Sequence, residues 1–144
     1  MMIFAMFKKC DFICHEDFVY TTFWNALGLF FIITLITLCT IPIAQAPLST
    51  ISFGDKIHHF VFYFGMGFYF RTYSKDRYHL RLLLFLFFLG ITLEGIQYGL
   101  PWRSFEWMDM VTNGTGLIAS TFLPSKFSRS VFRHLEQIWR KRLL

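Results

Sequence analysis

Residues 24–44 read WNALGLFFIITLITLCTIPIA, and this run decides the class of fold. It holds no charged side chain, and the uncharged stretch around it extends from Asp17 to Asp55. As a helix it spans about 31 Å, close to the hydrocarbon thickness of a bilayer. The run is therefore expected to cross a membrane. A cleavable leader is the rival reading, because Ala44-Gln45-Ala46 has the small residues of a cleavage site. The acidic Asp11, Glu16 and Asp17 ahead of the run, its length, and Pro47 directly after the site argue against cleavage. Pro42 and Pro47 instead end the helix and shape the loop that follows.

Outward from this run, composition points the same way. Hydrophobic residues make up 55% of the chain and charged residues 16%, with a mean hydropathy of +0.47, so polar side chains are too few to coat a soluble domain. A length of 144 residues allows one domain. The net charge of +5 raises the question of nucleic acid, but the basic residues flank apolar runs and crowd into the tail, and no zinc-finger or RNA-stacking motif is present. No nucleic-acid partner is expected. Cys10 and Cys14, followed by His15, have the wrong gap for haem attachment, and no second ligand pair follows as a zinc site would need. These thiols read as reduced and structural, and Cys39 as packing. No cofactor is expected.

Three further runs follow. Residues 57–70 are opened by Asp55 and Lys56 and closed by Arg71; fourteen residues give about 21 Å, so one end must draw polar residues into the membrane. Asp55, His59 and Tyr63 recur at i, i+4 and i+8 with Lys56 beside them, while His58 points elsewhere. Residues 82–93 continue through Glu94 and Gln97, at i and i+3, to the stop at Gly99-Leu100-Pro101. The fourth run, 109–123, sets Asp109, Asn113 and Gly116 on one stripe, with Gly114, Ala119 and Ser120 for close helix contact. Residues 126–144 place Phe127, Val131, Phe132, Leu135, Ile138 and Trp139 on one side, with Lys126, Arg129, Arg133, Arg140, Lys141 and Arg142 around them, as in a helix lying on an anionic membrane surface.

Twelve of the fourteen Lys and Arg residues fall in the amino-terminal segment, the loop at 71–81 and the tail. The positive-inside rule then puts both termini in the cytoplasm and the loops at 45–56 and 99–109 outside. The expected fold is an all-α membrane protein: a cytoplasmic segment (1–23), a four-transmembrane-helix bundle (24–125) and a basic amphipathic interfacial tail (126–144).

In that topology the polar residues meet. Asp55, Lys56, His59 and Tyr63 begin the second helix, Glu94 and Gln97 end the third, and Arg103, Asp109 and Asn113 lead into the fourth, all at the outer leaflet. A charged side chain at a helix centre costs about 2.5–3.5 kcal/mol on insertion scales. The cluster is therefore either a structural lock between helices or a ligand site, and its excess of mixed acid, base and amide groups favours the ligand site. Lys56 and Arg103 would hold phosphate, Gln97 and Asn113 sugar or amide groups. His59 is suited to proton transfer with Glu94 or Asp109 orienting it, making these three the catalytic candidates. No activated Ser or Cys supports a covalent nucleophile. Asp55, His59, Glu94 and Asp109 have the right ligand types for a metal, but Lys56 and Arg103 repel a cation and no His-x3-His or Cys pair anchors one, so no metal is expected. A transporter is disfavoured because the runs show no inverted repeat.

Taken together, Asp55-Lys56-x-x-His59-x-x-x-Tyr63, Glu94-x-x-Gln97, and Arg103 followed by Asp109-x-x-x-Asn113-x-x-Gly116 resemble the VanZ-like family of bacterial membrane proteins over about residues 50–120. Ser120 departs from the family pattern, where a further glycine is expected. The resemblance implies a small multi-spanning protein of the bacterial cytoplasmic membrane, associated with the cell envelope and with resistance to the glycopeptide teicoplanin. The expected partners are membrane lipids and lipid-linked envelope precursors. The expected function is recognition of their anionic headgroups, with a non-enzymatic shielding or partner-binding role as the alternative.

Overall fold

The computed structural model describes residues 19–40, 54–102 and 105–143. Among these the chain is helical apart from its connections: α1 (Thr21–Thr40), α2 (Gly54–Tyr73), α3 (His79–Tyr98), α4 (Trp107–Thr121) and α5 (Ser125–Leu143), with a 3-10 turn at Asp76–Tyr78. Cys10, Cys14, Pro42, Pro47 and Arg103 lie outside the described residues, as do the side chains of Phe127, Arg140 and Arg142.

Each uncharged run is helical over its described residues. α2 begins at Gly54, so Asp55, Lys56 and His59 open it as expected, and the element has 20 residues, about 30 Å, against the fourteen of its uncharged run. The physical reason is that Asp55 in the first turn and Arg71 in the last each complement the helix dipole, so the charges extend the helix at both ends. Two segments, Thr21–Thr40 and Asp76–Tyr98, are long and apolar enough to cross a membrane. α2 carries charge near both ends, and the 15 residues of α4 reach only about 22 Å.

Packing is inverted relative to a water-soluble bundle. Glu94, Gln97, Asp109, Asn113, Thr72 and Ser120 are buried, whereas Leu29, Phe30, Ile33, Phe85, Phe88 and Ile118 face outward. The apolar core is Leu35, Cys39, Tyr63, Met66, Leu86, Leu93 and Leu117, drawn from the first four helices.

The most extensive contact is between α2 and α4. A Cβ on Gly116 would stand 2.6 Å from the Phe60 carbonyl oxygen and 3.0 Å from the Phe64 amide nitrogen, so glycine lets the two backbones touch. One turn on, Ser120 is fully buried against Gly67, whose missing side chain leaves room for the hydroxyl. The small residue that the sequence pattern leads one to expect at 120 is supplied by α2 instead.

The tail does more than skirt a surface. Phe132 of α5 stacks on Trp24 at 4.9 Å, and Trp139 meets Phe23 at 4.8 Å. Arg129, expected in the solvated basic fringe, is buried: its Nε donates to the Thr72 carbonyl at 3.3 Å and its guanidinium pairs with Asp76. Glu136 is also buried, accepting hydrogen bonds from Val19 N at 3.2 Å, Tyr20 N at 3.1 Å and Trp24 Nε1 at 2.6 Å. The first helix N–H groups have no intrahelical acceptor, and this carboxylate supplies one next to the positive end of the helix dipole. Val131, Leu135 and Ile138 remain exposed on α5.

Candidate functional site

The polar rows on α2, α3 and α4 come together at one end of the bundle, around the start of α2 and α4 and the end of α3. Helical periodicity aligns Asp55, Lys56, His59 and Tyr63, and the glycine-mediated approach of α4 brings Asp109 and Asn113 against them. Lys56 Nζ lies 3.1 Å from Asp109 Oδ1 and 4.0 Å from Asp55 Oδ2, and it donates to the Glu106 carboxylate. His59 Nε2 lies 3.6 Å from Asp109 Oδ2 and 4.0 Å from Asp55 Oδ2.

The other ring nitrogen fixes the state of the histidine. His59 Nδ1 is 2.9 Å from Asn113 Oδ1, an amide oxygen that can only accept, so Nδ1 carries the hydrogen. In the neutral ring Nε2 is then a lone pair aimed at two carboxylate oxygens.

Glu94 and Gln97 join the end of α3 to its surroundings. Glu94 is 1% exposed, and its Oε1 accepts the Glu106 N–H at 2.8 Å. Gln97 Nε2 donates to the Cys39 carbonyl at 2.9 Å, tying α3 to the last turn of α1. Tyr63 is buried at Gly90; a Cβ there would meet its hydroxyl at 2.6 Å and Asn113 Nδ2 at 3.1 Å.

Beside the cluster opens a cavity of about 370 Å³ between α1, α2 and α3. Its lining is mainly apolar, from Leu35, Leu38, Val61 and Phe62, and Asp55, His59, Tyr63 and Gln97 also border it. His58, which the helical spacing turns away from the polar row, also lines this space.

Among the described residues, the structure thus unites every candidate from the sequence: Asp55, Lys56, His59, Tyr63, Glu94, Gln97, Asp109 and Asn113. It changes two expected roles. Lys56 is engaged by Glu106 and Asp109, so it does not stand free for a phosphate; and of the two carboxylates expected to orient His59, Asp109 lies 3.6 Å from its Nε2 while Glu94 accepts the Glu106 N–H. Glu106 is the residue that spacing missed. It precedes α4 at the N-cap position, in extended conformation, and contributes both its carboxylate and its amide to the cluster. Its place at a helix start, three residues before Asp109, is the signal that marks it.

The electrostatic consequence is a site rich in carboxylates. Asp55, Glu94, Glu106 and Asp109 stand against Lys56 and a titratable His59. Such a cluster can bind a cation or a protonated amine directly, and can meet an anion only through a positively charged intermediary. Comparison of the chain with protein-family models, with curated proteins and with solved structures gave no match.

Proposed function

We propose that this chain is a four-span, VanZ-like protein of the bacterial cytoplasmic membrane that recognises a phosphorylated lipid or lipid-linked envelope precursor at its outer face. The cavity carries the reading: it is lined mainly by apolar side chains, Leu35, Leu38, Val61 and Phe62 among them, and it adjoins the polar cluster through Asp55 and His59, which suits an acyl chain beside a headgroup. The acyl part would lie along the apolar lining and the headgroup at the polar cluster.

The inverted packing supports a lipid surround. Outward Leu and Phe with inward Glu, Asp and Asn is a costly arrangement in water and a favourable one in hydrocarbon. α2 and α4, short or charged by themselves, would span because their polar residues turn inward and share one cluster. The basic residues then place that cluster outside and α5 at the cytoplasmic face. A protein holding an envelope precursor there would alter access of a glycopeptide to its target, in line with the family resemblance.

The test is lipid co-purification. Gently extracted protein, analysed by native mass spectrometry, is expected to retain a specific phosphorylated lipid that Arg103→Gln and His59→Gln lose. Identical, ordinary lipids on all three proteins would overturn the reading. The second reading, a structural lock, draws on the Lys56 contacts with Glu106 and Asp109 and on the Glu94 bond to the Glu106 amide. It predicts unchanged lipids together with easier unfolding.

A further inference from the structure

We infer that Asp55, His59 and Asp109 hold a divalent transition-metal cation, and that this cation presents the positive charge to which a phosphorylated headgroup binds. The second half of the inference rests on the proposed headgroup site; the first does not. One donor atom from each of the three residues lies within 4.8 Å of the others. His59 Nε2 is 3.6 Å and 4.0 Å from the two carboxylate oxygens. Donors about 2.0–2.2 Å from a tetrahedral zinc stand about 3.4 Å apart, so small side-chain rotations close the set.

Two independent observations support a cation here. First, His59 Nδ1 is held by Asn113 Oδ1 while Nε2 faces the carboxylates of Asp55 and Asp109, the orientation that a metal-bound imidazole takes when its far nitrogen is held by a hydrogen bond. Second, the Asp109 side chain is 6% exposed and its two oxygens divide their work: Oδ1 lies 3.1 Å from Lys56 Nζ, which leaves Oδ2, 3.6 Å from His59 Nε2, to face the cation. That carboxylate is in place before any ligand arrives.

The sequence argument against a metal was repulsion by Lys56 and Arg103. Lys56 loses its force because its charge is met by Glu106 and by Asp109 Oδ1, away from the Oδ2 that faces His59. One imidazole and two carboxylates suit zinc, manganese or iron(II); the nitrogen donor argues against calcium and magnesium, and the absence of sulfur in the set against copper(I). Three protein ligands leave a coordination position for a water or a phosphate oxygen. Asp55, the most exposed of the three at 48%, lies on the cavity side, where that position would open.

The experiment uses the full chain in detergent with no added lipid, titrated with Co²⁺ and followed by visible absorption, then challenged with Zn²⁺. The expected result is one cobalt per chain with the weak bands of nitrogen and oxygen ligation, displaced by zinc. Asp55→Asn and His59→Gln should each weaken binding at least tenfold, and His58→Gln should leave it unchanged. Among the described residues no hydrogen bond to the Asp55 carboxylate is present, and it is about half exposed, so its variant keeps the test open if His59→Gln fails to fold. Less than one cobalt per chain, unchanged affinity in Asp55→Asn, or the intense near-ultraviolet absorption of thiolate ligation by Cys10 and Cys14 would each overturn the inference. Lipid retained without metal would overturn it and spare the headgroup reading. Metal bound without lipid would do the reverse for the metal set.

Discussion

The two ends of the bundle use charge in different ways. At the end where α1 begins, charged side chains finish largely on backbone. Glu136 accepts from the amides of Val19 and Tyr20, Arg71 donates to the carbonyls of Ser120 and Thr121, and Arg129 donates to that of Thr72 while pairing with Asp76. At the other end Asp55, Lys56, His59, Glu106 and Asp109 face one another, beside a cavity that Asp55 and His59 also line. A charge that ends on backbone satisfies a helix terminus that can go nowhere else. Charges that end on one another can exchange partners, which is what a binding site requires.

The comparison is broken most forcefully at Glu136. Glu136→Leu removes the acceptor of three donors, the buried Trp24 Nε1 and the partly buried amides of Val19 and Tyr20, which should cost about 2–4 kcal/mol of stability in detergent unfolding. Lipid and cobalt binding should survive at temperatures where the variant is folded. Loss of binding in the folded variant would mean that the two ends are coupled and that the division drawn above is wrong.

Arg129→Met should follow at about 1–3 kcal/mol, since it abandons the Thr72 carbonyl and leaves Asp76 with less compensation. The same unfolding experiment reads it, and its lipid profile should match wild type. Gly90→Ala acts at the opposite end, where the new methyl group collides with the Tyr63 hydroxyl and approaches Asn113 Nδ2. Overpacking of this kind costs about 1–3 kcal/mol. Because Asn113 holds His59, this change should also weaken cobalt binding, a coupling that Arg129→Met should not show.

The binding end was more legible in sequence than the capping end, for a physical reason. Asp55, His59 and Tyr63, or Asp109 and Asn113, recur at helical spacing inside apolar runs, so a face and a depth follow from position alone. Glu106 escaped because it lies in the turn before α4, where no periodicity operates. Arg129 and Glu136 escaped because a charge on an amphipathic helix reads as solvated. Nothing local announces that the acceptor for Tyr20 lies 116 residues away. Which base meets which acid was beyond spacing altogether: Lys56 was expected to serve a ligand and instead serves Glu106 and Asp109.

Asp55→Asn sharpens the comparison with the smallest disturbance of the fold. Its carboxylate is about half exposed, lies 4.0 Å from both Lys56 and His59, and makes no hydrogen bond among the described residues. Neutralising it should change stability by no more than about 0.5 kcal/mol, the ordinary range for an exposed substitution. If the cluster were a lock like the one at Glu136, so small a loss of stability would go with an equally small loss of everything else. As a ligand site, the same change removes one of three donors from a cation and should lower cobalt affinity at least tenfold. Unfolding and cobalt titration on this one variant therefore separate the two readings: a stability loss approaching that of Glu136→Leu, with cobalt affinity intact, would make both ends of the bundle structural.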